Sequence, residues 1–214
     1  MSQKVYVVFN PVAGTVDPDA AYRTIGEYLD AVGWTYDIYK TTGDERVPEV
    51  VRDALSAAAY DLVVAAGGDG TVSAVAGGLM NSDIPMGVLP TGSGNALARE
   101  LQIPLNLQGA LDLLTGDHAQ RTIDGMQVDD HYFFLSVSVR LSSLVMKETG
   151  REQKRSFGWL AYIWTGLKKL LGYQPGHFLL DIDGQTEHWG AAEVNVANSG
   201  AIGMPAFQWG PGIR

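Results

Sequence analysis

The chain has 214 residues, 46% hydrophobic and 18% charged, enough for one large domain or two ordinary ones and too apolar for disorder. A formal net charge of −9 argues against general nucleic-acid binding, which needs a positive footprint. The absence of cysteine excludes disulfides, thiolate zinc sites and cysteine nucleophiles, and fits a reducing cytoplasm.

Met1-Ser2-Gln3-Lys4 leads straight into a strand-like run, so no signal peptide is expected. "KVYVVFN", Lys4 to Asn10, predicts a buried strand: short, β-branched and ended by Asn-Pro. "DPDAAYRTIGEYLDAVG" predicts a helix with an Asp/Pro start, apolar spacing at Tyr22, Ile25 and Leu29, and Gly33 as its stop. "WTYDIYK" is a second strand and "ERVPEVVRDALSAAAY" a second helix, with Pro48 near its start. "DLVVAA" and "DGTVSAVAGGLMN" repeat the pair, and "PMGVLP" is a fourth strand. "GNALARELQI" starts a further helix, stopped before Pro104. Alternation of this kind implies an α/β domain: a mostly parallel sheet with helices on both faces.

The texture changes after about Asp117. "QRTIDGMQVDDHYFFLSVSVRLSSLVM" predicts a hairpin of longer strands with Asp129-Asp130 in the turn. "HFLLDIDGQTEHWGAAEVNVANSG" predicts a second hairpin around Asp183-Gly184, and "KRSFGWLAYIWTGLKKLLGY" between them is helical in pattern. The expected organisation is therefore an α/β domain over 1–120 and an antiparallel β, sandwich-like domain over 121–214, incomplete at its C-terminus. Its unfinished sheet edge offers a route to homo-oligomers.

No apolar stretch is long enough to span a bilayer, so work on a lipid would be done from the surface. From Arg140 to Tyr173 there are seven basic and two acidic residues, net +5 against −14 for the rest of the chain. Phe157, Trp159, Tyr162, Trp164 and Tyr173 lie in the same stretch. Phe157, Leu160, Trp164, Leu167 and Leu171 fit a core stripe, while the basic residues fit docking on an anionic membrane surface. Both readings hold together if opposite faces serve them. His118, His131, His177 and His188 show no metal-ligand spacing, and no metal-ligand set is assigned.

Ligands of open parallel sheets bind beyond the carboxyl ends of the strands. Three expected loops there have unusual composition: "FNPVAGT" (Phe9 to Thr15), "AAGGDGTVS" (Ala65 to Ser73) and "LPTGSGNALAR" (Leu89 to Arg99). Glycine brings backbone N–H groups close to an anion, and a following helix start adds partial positive charge. Each loop alone is consistent with an ordinary turn. Three on one sheet point to a polyanion site built with few formal cations.

"NPVAG", "GGDGT" and "PTGSGNALAR", in that order after strands one, three and four, resemble the catalytic-domain signatures of the diacylglycerol kinase family, which includes bacterial lipid kinases and sphingosine kinases. "GGDG" is shared with NAD kinases and phosphofructokinases; the other two motifs favour the lipid kinase branch. The resemblance covers the first 125 residues well and the β region more loosely. It implies an α/β nucleotide domain, a β-sandwich domain and a site in the cleft between them. It further implies an ATP- and Mg²⁺-dependent kinase acting on a lipid hydroxyl, diacylglycerol first, with the protein cytoplasmic or peripheral at the inner face of the membrane. Alternatives are an NAD kinase-type soluble kinase and a non-catalytic nucleotide-binding protein.

Carried over residue by residue, the resemblance implies ATP contacts at Asn10, Pro11, Val12, Ala13, Gly14 and Thr41, with Thr42 the alternative to Thr41. It implies others at Gly67, Gly68, Asp69, Gly70, Thr71, Val72, Ser73, Ser93 and Asn95, with Asp69 catalytic. A carboxylate repels phosphate, so Asp69 belongs there through Mg²⁺, or by accepting hydrogen bonds from the acceptor alcohol or from the loop itself. A Mg²⁺-linked role suits phosphoryl transfer, which depends on positioning and charge neutralisation. Three features depart from the family. Ala96 stands where many members have Asp, and Asp124 matches another acidic position that compensates for it or holds the hairpin. Ser136 and Arg140 stand where Asn and Gly are common. The family's proposed general base and a structural Mg²⁺ site lie in a segment beyond position 214.

Overall fold

The computed structural model describes residues 2–14, 17–140 and 175–199. The basic aromatic segment after Arg140, its expected helix and Thr15 of the first loop lie outside the described residues.

Four parallel strands form the first sheet: β1 (Lys4–Phe9), β2 (Thr35–Lys40), β3 (Leu62–Gly67) and β4 (Met86–Pro90), in the order β2-β1-β3-β4. Val7 lies level with Ile38 on one side and Val64 on the other, and Val64 lies level with Gly87. Strand residues alternate between faces, so one sequence supplies two cores. Val5, Val7, Phe9, Leu62, Val64 and Leu89 meet Ala21, Ile25 and Leu29 of α1 (Pro18–Ala31) and Ala110 and Leu111 of α5 (Leu107–Thr115). Tyr6, Val8, Val63, Ala65 and Val88 meet Val51 of α2 (Val47–Ala57) and Val72, Val75, Ala76 and Leu79 of α3 (Asp69–Leu79). The expected α/β sheet with helices on both faces is present.

Local chemistry explains the helix ends. Asp17 caps α1 by accepting from the N–H groups of Asp19 and Ala20, and Pro18 presets the first turn. Helices α2 and α3 pack closely at Gly78, where a methyl group would come within 2.7 Å of Val51 Cβ and 2.9 Å of the Pro48 carbonyl. Helix α4 (Ala96–Glu100) is short, and α5 is an element absent from the sequence expectations. Asn106 caps α5 by accepting from Gly109 N–H at 2.7 Å. Tyr28 Oη donates to Asp112 at 2.5 Å and ties α5 to α1.

The first compact unit runs to Leu135 and is rejoined at Asn198. It includes a small hairpin of β5 (Met126–Val128) and β6 (His131–Phe133), with Asp129-Asp130 in the turn as expected. The strands are shorter than expected. Phe134 is buried, and the Leu135 carbonyl accepts from the N–H groups of Asn198 and Ser199, which ends the hairpin.

The second unit covers Ser136–Ala197. Here β7 (Ser136–Arg140) pairs antiparallel with β10 (Glu193–Ala197), and β8 (Gly176–Ile182) with β9 (Gln185–Ala191). Asp183 and Gly184 both take positive φ, 53° and 79°, the backbone that a tight hairpin turn requires. No helix among the described residues is long and apolar enough to cross a membrane.

Candidate functional site

Strands β1, β3 and β4 are parallel neighbours, so the loops that follow them leave the same end of the sheet. Backbone hydrogen bonds carry the sheet into these loops. Asn10 N–H donates to the Ala66 carbonyl at 2.9 Å, and Thr91 N–H donates to the Gly67 carbonyl at 3.1 Å.

Side chains then fasten loop to loop. Asn10 Oδ1 accepts from Val12 N–H at 3.1 Å and shapes the first loop. Its Nδ2 donates to Thr71 Oγ1 at 2.9 Å, joining that loop to the start of α3. Thr71 is buried and fills the space over Gly67, where a methyl group would meet it at 2.5 Å.

Two contacts leave no room for side chains. Gly14 has φ +69°, and a methyl group there would lie 2.0 Å from the Thr91 carbonyl oxygen. A methyl group on Gly92 would lie 2.4 Å from Gly68 Cα. The three loops therefore meet backbone to backbone. Gly68, the residue before α3, offers that helix no capping side chain. The N–H groups that open α3 thus form an uncapped positive end beside this seam.

The third loop is self-braced. Asn95 is left-handed, with φ 49°, so its side chain turns back onto Gly92. There Oδ1 accepts from the Gly92 N–H at 3.0 Å and Nδ2 donates to the Gly92 carbonyl at 2.6 Å. Asn95 consequently caps nothing in α4. That task falls to Asp69, whose Oδ1 accepts from Leu97 N–H at 3.2 Å. The acidic residue of the glycine turn thus holds the neighbouring loop's helix. A methyl group on Gly94 would stand 2.9 Å from Asp69 Oδ2.

Asn10 to Gly14, Gly67 to Ser73, Ser93 and Asn95 are brought to this one end of the sheet. Val72 packs in the core through its side chain, leaving only its backbone on the loop side. Val12 is 79% exposed, and Gly70 and Ser93 are also exposed. Thr41 is buried at the end of β2, where its N–H donates to the Phe9 carbonyl at 2.9 Å. Thr42 is engaged with Glu45. That carboxylate accepts from Thr42 Oγ1 at 2.6 Å and from the N–H groups of Thr42, Gly43 and Asp44. These donors, the Thr42 hydroxyl foremost, lower the Glu45 pKa to about 2.

Three features escaped the sequence reading. Thr91 is 5% exposed, and its hydroxyl oxygen has no hydrogen-bond partner among the described residues. Arg99 Nε donates to the Gly94 carbonyl at 3.0 Å, placing a cation at the third loop. Asn198 Nδ2 bridges the carbonyls of Asp124, at 2.6 Å, and Phe134, at 3.2 Å. Asp124 therefore anchors the hairpin through its backbone. Both Arg99 and Asn198 sit inside quoted motifs, but only the folded backbone shows what they touch. No group of three or more His, Cys, Asp or Glu side chains suited to a metal occurs among the described residues.

Known proteins match the same features. The diacylglycerol kinase catalytic domain model matches residues 4–128, and the YegS C-terminal NAD kinase beta sandwich-like domain model matches 136–206. A "Probable lipid kinase YegS-like" from Pseudomonas fluorescens is 32% identical over 169 residues, 78% of this chain and 55% of that protein. A diacylglycerol kinase from Staphylococcus epidermidis is 28% identical over 179 residues, 79% of this chain and 54% of that one. The chain thus spans about half the length of these curated relatives. A solved diacylglycerol kinase from Bacillus anthracis superposes with a TM-score of 0.73 at 24% identity, covering 93% of this chain and 65% of that one, a likeness of fold. With the glycine loops in place and a family model matched over more than half its length, the chain belongs to the diacylglycerol kinase catalytic-domain family.

Proposed function

We propose that this chain carries the nucleotide-binding part of a lipid kinase, which binds ATP across the three glycine loops and directs its γ-phosphate to a lipid hydroxyl, diacylglycerol first. The observation that carries this reading is the side-chain-free seam of Gly14 on Thr91 and Gly68 on Gly92, next to the uncapped start of α3. A polyphosphate matches such a surface, because peptide N–H groups and a helix start attract anions. The orphaned Thr91 hydroxyl is a further polar group that a ligand or water would satisfy.

Each residue then has a task. Asn10 holds Thr71 and thereby fixes the first loop against the start of α3. Asn95 braces the turn at Gly92, and Asp69 keeps α4 in register with the second loop. Mg²⁺ fits the residues present: it often takes one or two carboxylates together with phosphates and water, and Asp69 is the carboxylate of these loops. When bound with ATP it would neutralise phosphate charge. Asp69 Oδ1 already accepts from Leu97, so Oδ2 is the oxygen left to face a metal or an acceptor alcohol.

The test is transfer of labelled phosphate from ATP to mixed lipid vesicles and, separately, to soluble alcohols. Labelled lipid supports the proposal. Label only in a soluble product supports an NAD kinase-type reaction, and ATP binding without transfer supports a non-catalytic nucleotide-binding role. The basic aromatic segment is proposed to meet the anionic membrane surface. Sedimentation with anionic vesicles checks this, and equal binding by Lys168→Glu/Lys169→Glu protein refutes it.

A further inference from the structure

We propose that the loop after β2, Thr41 to Glu45, is the wall of the site that meets the uncharged nucleoside half of the ligand, and that Glu45 is its positioning residue. The proposal rests on the ATP-binding reading above and assigns the part of the ligand that the glycine seam does not hold.

This loop belongs to the same row as the glycine loops. Thr41 N–H donates to the Phe9 carbonyl, Asn10 N–H to the Ala66 carbonyl and Thr91 N–H to the Gly67 carbonyl. Each rung ties the exit of one strand to the end of its neighbour, so the β2 loop leaves the sheet level with the others. Strand β1 lies between β2 and β3, yet α1 packs on the opposite face from α2 and α3. The chain thus diverges at β1, the kind of position where open parallel sheets take ligands. Neighbouring strands lie roughly 5 Å apart, so the β2 exit stands roughly 10 Å from the β3 exit. A nucleotide with its phosphates at the start of α3 can reach it.

The chemistry of this loop differs from that of the other three. The N–H groups of Thr42, Gly43 and Asp44 form a nest, but the Glu45 carboxylate fills it, with the Thr42 hydroxyl donating at 2.6 Å. The donors that would attract an external anion are therefore spent inside the chain. Residues 41–45 include two acids and no Lys or Arg. The flanking cations are directed elsewhere, Lys40 to Asp19 at 3.7 Å and Arg46 to Glu49 at 3.0 Å. Such a loop disfavours phosphate. Its backbone carbonyls and the Asp44 carboxylate accept from hydroxyl and amino groups, which a ribose and a base carry. A methyl group on Gly43 would meet nothing within 4 Å, so the space beside the loop is open. Winding the loop around Glu45 before the ligand arrives lowers the ordering cost of binding. The competing role is local: Glu45 only stabilises the approach to α2.

Titrations of the 214-residue chain separate the two roles. Wild type, Glu45→Gln and Glu45→Ala are titrated with ATP and with inorganic triphosphate in magnesium buffer, and their melting temperatures are recorded. A positioning role predicts that wild type prefers ATP to triphosphate. It predicts that Glu45→Ala weakens ATP about fivefold or more and triphosphate less than about twofold, while Glu45→Gln, which keeps an acceptor oxygen, recovers part of the loss. Unchanged ATP affinity in Glu45→Ala overturns the proposal. An equal loss for both ligands with a lowered melting temperature also overturns it, in favour of the local role. Wild type that binds triphosphate as tightly as ATP overturns it as well. If Glu45→Ala does not fold, Glu45→Gln decides: a loss confined to ATP supports the proposal and no loss overturns it. Wild type that binds neither ligand defeats the ATP-binding reading itself.

Discussion

Gly68 and Gly92 meet backbone to backbone: a methyl group on Gly92 would sit 2.4 Å from Gly68 Cα and 2.8 Å from Asn95 Oδ1. Neither neighbour is the flexible end of a long side chain. Gly92→Ala must therefore push the second and third loops apart, at a cost of about 1–3 kcal/mol. Urea denaturation should show that loss, and ATP titration should show weakened binding in the fraction that still folds. Wild-type stability with wild-type binding would mean that the loops do not meet as described.

Asp69 holds Leu97 N–H, and its proposed catalytic role through charge is separable from that hold. Asp69→Asn keeps an acceptor oxygen and removes the charge; Asp69→Ala removes both. Phosphate transfer should fall ~10²-fold or more in both variants. Only Asp69→Ala should also lose about 1 kcal/mol of stability, the usual cost of deleting a helix-start acceptor. Turnover measured beside denaturation curves checks both halves, and near-normal turnover in Asp69→Asn would remove the catalytic assignment.

Glu45 predicts a dependence on acid. Its folded pKa of about 2 lies below the ordinary value of 4.5, because Thr42 and neighbouring N–H groups donate to the carboxylate. A depressed carboxylate adds stability above its unfolded pKa and loses that contribution as pH falls toward the folded one. Wild type should therefore lose more stability between pH 5 and pH 2 than Glu45→Gln, and the difference between their curves should narrow with acid. Parallel curves over that window would contradict the described hydrogen bonds.

Gly78 lets α2 and α3 approach. Gly78→Ala would press on Val51 Cβ at 2.7 Å and the Pro48 carbonyl at 2.9 Å. Overpacking of this kind costs about 1–3 kcal/mol. The site lies at the other end of α3, so thermal unfolding should fall by several degrees while ATP affinity of the folded protein stays within about twofold.

Much of the α/β unit was legible because its signals are local. The β-branched runs at Val5–Val8 and Leu62–Val64 stop at Asn10 and Gly67, and Asp17-Pro18 announces a helix. Helix α5 was hidden because it is nine residues long, follows Pro104 closely and carries Gly109 in its first turn. The partner of β7 was hidden for another reason: Ser138 lies level with Asn195, 57 positions away, and no local pattern encodes that pairing. At the site, the order of the three motifs located the loops. It did not reveal that Asn95 turns away from α4 and Asp69 replaces it, because that exchange depends on a left-handed residue and on contact between two loops.

The glycine seam also bears on how such a site can change. Peptide groups carry no side-chain rotamers to freeze and do not ionise near neutrality, so a cradle built from them has one shape and one charge pattern over a broad pH range. It also resists adjustment, since a methyl group at Gly14 or Gly92 meets backbone at 2.0 or 2.4 Å. On the proposed kinase reading, variation in the acceptor must then arise in residues outside the seam. Holding the phosphates and choosing the acceptor would be separate problems, and the second could evolve while the first stays constant.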